Sequence, residues 1–192
     1  MSRIIKLAML LNEVLNEVGD LKNIEPVPYT DMGNDRYYFQ YEGMDVDVSF
    51  EYYPLNDVKD TILPNMTSDV FNKARGNKNV LDLDCYNLNF TVNNEDAQAT
   101  KVPLSVLYTI LSTVVKIAKE FIETEQPFLV TIFSASKFGS IATDKQKAML
   151  YKEISKQNLP SNYYLRDIKL DVVGSVFKDY QGFEGLVLFR KN

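Results

Sequence analysis

The most regular hydrophobic pattern in the chain runs from Met44 to Tyr52. Met44, Val46, Val48, Phe50 and Tyr52 alternate with Asp45, Asp47, Ser49 and Glu51. Period two predicts a strand with one buried and one wet face. Glu42-Gly43 predicts a hairpin turn back to a strand over Tyr37–Tyr41. A second apolar run, "VLDLDCYNLNFTV", predicts another strand. Its phase shifts between Leu81, Leu83, Cys85 and Leu88, Phe90, Val92, which suggests a bulge at Tyr86–Asn87. Over 102–124 the period lengthens, and Leu104, Leu107, Tyr108, Leu111, Val115, Ala118 and Ile122 predict a helix with a buried stripe. Pro103 suits its first turn.

Further along, "FLVTIF" predicts a short strand and Thr143 with Gln146 forms a capping box. That box starts a helix at Asp144, which ends before Pro160. "RDIKLDVVGSVF" and "GFEGLVLFR" predict two final strands, the second after a Gln181-Gly182 turn. At the N-terminal end, Ile4, Leu7, Ala8, Leu11, Leu15 and Val18 follow helical spacing over residues 1–20. Asn12, Glu13, Asn16 and Glu17 interrupt the apolar run that an export signal needs, so an amphipathic helix is the expectation. Residues 22–36 are expected as loop, and 54–79 as a long insertion with a helical turn near Asp69–Lys73. Together these elements predict one α+β domain over 1–192. It has a mixed, mostly antiparallel sheet packed with two or three helices and preceded by the N-terminal helix.

Composition narrows the chemistry. The 192 residues contain no histidine and one cysteine. Ser-His-Asp and Cys-His nucleophile arrangements and His-ligated zinc are therefore excluded, as is an intrachain disulfide. Cys85, in a strand pattern, is expected as a buried apolar residue. No apolar run approaches 18 residues, so no membrane-spanning helix is expected. The net charge of −5 is uneven. Residues 1–100 hold 8 basic and 17 acidic side chains, and residues 101–192 hold 13 and 9. Such a division disfavours nucleic acid and suits a homo-oligomer or a polar protein interface, or else two differently charged solvated faces.

Four local candidates remain. Asp45/Asp47 and Asp82/Asp84 each project from one sheet face, and on neighbouring strands they could either be solvated or together bind a divalent cation. The stretch from Ser134 to Lys152 has a strand–loop–helix outline but a single glycine, so neither a P-loop nor a dinucleotide turn is present. Ser136, Lys137, Ser140 and Lys145 near the helix start form an anion-site candidate, or simply a capped polar connection. Tyr151 is either packed against the sheet or a general acid. Tyr163-Tyr164 and the hairpin tyrosines lack interleaved basic residues, which also argues against nucleic acid.

Two resemblances follow from these segments. From about Arg36 to Arg190, the order of strands and helices with Leu150-Tyr151 resembles the GCN5-related N-acetyltransferases. That resemblance implies acetyl-CoA as cofactor and Tyr151 as the acid protonating the leaving thiolate. The family's glycine-containing pyrophosphate turn is replaced here by "QATKVPLS", with no glycine and with Pro103. Over the whole chain, "LLNEVLNEVGD", "VLYTILSTVVKIAKEFI" and "IFSASK…DKQKAMLYKEI" resemble a group of small tailed-bacteriophage proteins. This second resemblance implies a non-enzymatic, virion-associated structural or accessory protein acting through protein–protein contacts. Its location would be the virion or the host cytoplasm. Its partner would be a phage structural protein or a host factor, on a degenerate acetyltransferase-like scaffold.

Overall fold

The computed structural model describes residues 24–54, 72, 75–76, 79, 83–93, 95–96, 104–133, 156, 160–169 and 184–191. The strands are β1 (Thr30–Gly33), β2 (Arg36–Tyr41), β3 (Met44–Pro54), β4 (Asp84–Val92), β5 (Glu95–Asp96), β6 (Leu129–Phe133), β7 (Tyr163–Lys169) and β8 (Glu184–Arg190). The helix α1 spans Leu104–Glu125 between β5 and β6. The sheet order is β1-β2-β3-β4-β6-β8-β7, with β5 paired to β4 off this path. All neighbours are antiparallel except β4 and β6, which α1 connects in parallel. The fold is thus α+β with a mixed, mostly antiparallel sheet, and α1 is the one long helix among the described residues. The helices expected over 1–20 and from Asp144 lie almost wholly outside them, although Lys156 is helical and exposed.

The Glu42-Gly43 turn forms as expected. Both residues have positive φ (50° and 75°) and Tyr41 faces Met44 across it. Two positive φ values match the strand twist, which is why such turns close hairpins. β1 occupies part of the span expected as loop. Asn34 and Asp35, with φ of 52° and 58°, turn it into β2, because short polar side chains tolerate the left-handed region.

On β3, Val46, Val48 and Phe50 are buried as the alternation predicts. Tyr52 is on the same face but at the strand's end, outside the core cluster, and is 53% exposed. The bulge expected in β4 is absent. Its register with β3 is unbroken from Val92 opposite Val46 to Asp84 opposite Pro54. The phase change has another cause: β4 is buried on both faces. Leu88 and Val92 pack on the α1 side, while Cys85 and Asn87 are buried on the other. Central strands lose alternation in this way. On that second face Thr131 donates to the Asn87 carboxamide oxygen at 2.9 Å, and the Asn87 amide donates to Asn89, so its buried polar atoms are partnered. Burial pushes the Cys85 thiol up to about 12, consistent with an inert core residue.

Over its described residues α1 buries a wider stripe than the spacing predicts. Ile110, Val114, Ile117 and Phe121 enter the core cluster, whereas Leu107 and Val115 are only half-buried. Tyr108, Leu111 and Ile122 are buried as the spacing predicts, and Ala118 packs against the core cluster. The helix ends at Gln126 in the left-handed region (φ 51°), where its N–H reaches the Ile122 carbonyl at 3.1 Å. Residues 24–29 lie along α1. The Val27 N–H donates to Thr113 Oγ1 at 3.1 Å and Ser112 Oγ donates to the Ile24 carbonyl at 3.0 Å.

Candidate functional site

Ser136, Lys137, Ser140, Lys145 and Tyr151 lie outside the described residues, as does Asp82. The four-aspartate cation site is contradicted by register. Asp47 faces Thr91 on β4, and Asp84 faces Pro54 at the other end of β3. From Thr91 back to Asp84 the strand runs about 23 Å at 3.3 Å per residue. The two local carboxylates have other partners. Asp47 pairs with Arg36 at 3.5 Å. Asp45 accepts from the Tyr38 hydroxyl at 2.5 Å and from Gln40 Nε2 at 2.6 Å.

The Tyr38 hydroxyl and then Gln40 hold the Asp45 carboxyl below the usual range. A depressed folded-state value contributes stability above the unfolded-state value, near pH 4, and that contribution is lost as pH falls through the folded value. Tyr38→Phe is therefore expected to melt below the native protein at neutral pH. The gap should close as pH falls below about 4. Melting curves across pH 2–7 check this, and a gap independent of pH would contradict it.

The most site-like feature among the described residues joins distant parts of the chain. A cleft of about 360 Å³ opens between the β1–β2 hairpin and the C-terminal half of α1. Tyr29, Tyr37 and Phe121 wall it, and Asp31, Asp35, Glu120 and Glu125 supply its charge. Local geometry fixes these groups. Asp31 Oδ1 accepts from the Gly33 N–H at 2.8 Å, and the Asp35 carbonyl accepts from the Phe50 N–H at 2.9 Å. The Tyr29 hydroxyl donates to Glu120, and Lys116 sits 5.6 Å over the Tyr29 ring. An aromatic ladder runs inward from the cleft. Tyr29 meets Tyr37 edge-on at 6.0 Å, Tyr37 meets Phe50 at 6.1 Å, and Phe50 stacks on Phe121 at 3.8 Å.

Among the described residues no lysine or arginine lines the cleft. Lys116, beside it, is 3.9 Å from Glu120. Burial first, then the Glu120 hydrogen bond and charge, pushes the Tyr29 phenol well above its ordinary value. Burial, then Asp31, Asp35, Glu125 and Glu120, raises that of Tyr37. Both phenols therefore stay protonated near neutrality and serve as donors and π faces rather than bases. Carboxylates beside aromatic faces attract a cation, most effectively a planar guanidinium. A second hollow, about 490 Å³ on the opposite sheet face, has its Asp47 already paired with its Arg36.

Sequence reading missed this cleft because its halves are far apart: Tyr29 and Glu120 are separated by 91 positions. The one local signal was Asn34-Asp35 between "YTDMG" and "RYYF". The tyrosine pair also changes meaning. Tyr163 is buried, and its hydroxyl donates to the Pro127 carbonyl at 2.6 Å. Tyr164 carries Lys191 at 4.8 Å and Arg166 at 5.7 Å from its ring centre. It does have basic neighbours, one of them brought in from β8's far end. Among the described residues no group of three or more acidic or sulfur side chains is placed to hold a metal ion, and no helix is long and apolar enough to cross a membrane. Comparison with protein-family models, with curated proteins and with solved structures finds no match to this chain.

Proposed function

We propose that the chain is a non-enzymatic bacteriophage protein, virion-associated as a structural or accessory component, which acts through protein–protein contacts made at the acidic cleft. The observation that carries the contact surface is the cleft itself: four carboxylates and two tyrosine rings with, among the described residues, no cationic lining side chain. Its partner is a basic segment of a phage structural protein or a host factor, in the virion or the host cytoplasm. The phage assignment rests on the resemblance of the helix-rich segments described above.

A short arginine-rich peptide tests the contact. Fluorescence anisotropy is expected to show binding that weakens about tenfold or more between about 50 mM and 500 mM salt, because screening removes most of an exposed charge attraction. The double variant Asp31→Asn, Glu125→Gln is expected to bind it correspondingly less. Equal affinity for native protein and variant would sink the cleft as contact surface.

The second reading, an acetyl-CoA-dependent acyltransferase with an acetyltransferase-like order, draws on the parallel β4–α1–β6 unit. In it Tyr151 is the acid, and Ser136, Lys137, Ser140 and Lys145 take the cofactor's phosphates. Calorimetry with millimolar acetyl-CoA separates the two. The first reading expects no binding heat; saturable binding, lost in Lys137→Ala, would favour the second.

A further inference from the structure

We propose that the cleft's basic partner is a second copy of this chain, whose β7–β8 edge enters the acidic cleft so that copies associate head to tail. The inference rests on the protein-contact reading of the same cleft and names its occupant. Arg166 and Lys191 lie over the Tyr164 ring on one face of the β7–β8 margin, while Arg190, opposite Tyr163, lies on the other face. Their hydrogen bonds go to carbonyls. Arg166 donates to Leu165 at 2.8 Å, Lys191 to Ser161 at 2.5 Å, and Arg190 to Gln126. Among the described residues, none of the three is paired with a carboxylate, and Asp31, Asp35 and Glu125 are paired with no cation.

The same molecule therefore displays an unneutralised acidic surface and an unneutralised basic one. β1 and β7 end the seven-strand path. Six strand spacings of about 4.8 Å place Asp31 and Arg166 roughly 29 Å apart. Screening decays over about 8 Å at physiological salt, so Asp31 and Arg166 do not neutralise each other within one copy, whereas Arg190 is held at the Gln126 carbonyl next to Glu125. Contact between copies does bring them together. The two surfaces differ, so the contact is heterologous and continues into a ring or a filament rather than closing as a two-fold dimer. The basic margin with its tyrosine also has the chemistry of a nucleic-acid contact. The second copy is favoured because the complement is built into the chain, and because a net charge of −5 repels a polyanion.

Sedimentation velocity of the full chain provides the test. Native protein is expected to sediment faster as concentration rises at about 50 mM salt and to return to monomer at about 500 mM. Asp31→Asn with Glu125→Gln removes the acidic surface, and Arg166→Gln with Lys191→Gln removes the basic one. Each double variant is expected to be monomeric with a near-native melting curve. Mixed together, the two variants retain one complementary pair of surfaces, so they are expected to form a dimer and nothing larger. A native monomer at all concentrations, or a dimer that both double variants still form alone, would overturn the proposal. So would low-salt binding of a single-stranded oligonucleotide, lost in the Arg166/Lys191 variant, without self-association. If self-association fails while the arginine-rich peptide still binds the cleft, only the identity of the partner falls.

Discussion

Replacing Phe121 by alanine is expected to destabilise the fold by about 3–5 kcal/mol, the range for a buried aromatic cut back to a methyl group. Phe121 is 2% exposed, stacks on Phe50 with rings 7° from parallel, and meets Tyr86 edge-on at 5.1 Å. It belongs to α1 while its partners belong to β3 and β4, so the substitution opens a cavity between helix and sheet. It also removes the inner support of the ladder that sets Tyr37 and then Tyr29 in the cleft wall. Urea denaturation is the measurement, with Tyr52→Ala as control. At 53% exposure that control is expected to change stability by no more than about 0.5 kcal/mol. A loss below about 1 kcal/mol for Phe121→Ala would mean that α1 does not pack this face on the sheet.

The second large effect concerns which face of α1 is inside. Ile117→Ala is expected to cost about 2–5 kcal/mol, because Ile117 is fully buried in the core cluster. Val115→Ala, two positions earlier and half-buried, is expected to cost about 1 kcal/mol or less, since less apolar area leaves water on folding there. The periodicity reading ranks them the other way, with Val115 in the stripe and Ile117 outside it. The same denaturation measurement on both variants decides between the two faces, and a larger loss at Val115 would reverse the packing described here.

That reversal shows what the sequence does and does not disclose. Strict alternation from Val46 to Phe50 reads correctly because β3 has one wet face, and Glu42-Gly43 reads correctly because its turn chemistry is local. Over α1, by contrast, Ile110, Val114 and Val115 leave the helix apolar over more than one stripe, so spacing alone does not select the face. Packing on Phe50 and Leu88 does. In β4, burial on both faces imitates a bulge, because Cys85 and Leu88 are both inside although they point opposite ways. The cleft was less legible still. Asp31 and Asp35 fall in the span expected as loop, Glu120 near the end of the expected helix and Glu125 just past it, and only the docking of residues 24–29 along α1 brings them together. The charge asymmetry was legible from the residue counts. It did not locate the cleft, half of whose carboxylates, Glu120 and Glu125, come from the basic half of the chain.

The proposed contact joins this chain to another protein chain at its acidic cleft. Carbodiimide cross-linking within purified phage particles tests it most directly, because the reagent joins a carboxylate to a lysine amine only where the two touch. Interchain links are expected from Asp31, Asp35, Glu120 or Glu125 to lysines of a neighbouring chain, identified by mass spectrometry of the linked peptides. Particles that contain the chain but give interchain links only from carboxylates elsewhere, with none at the cleft, would contradict it.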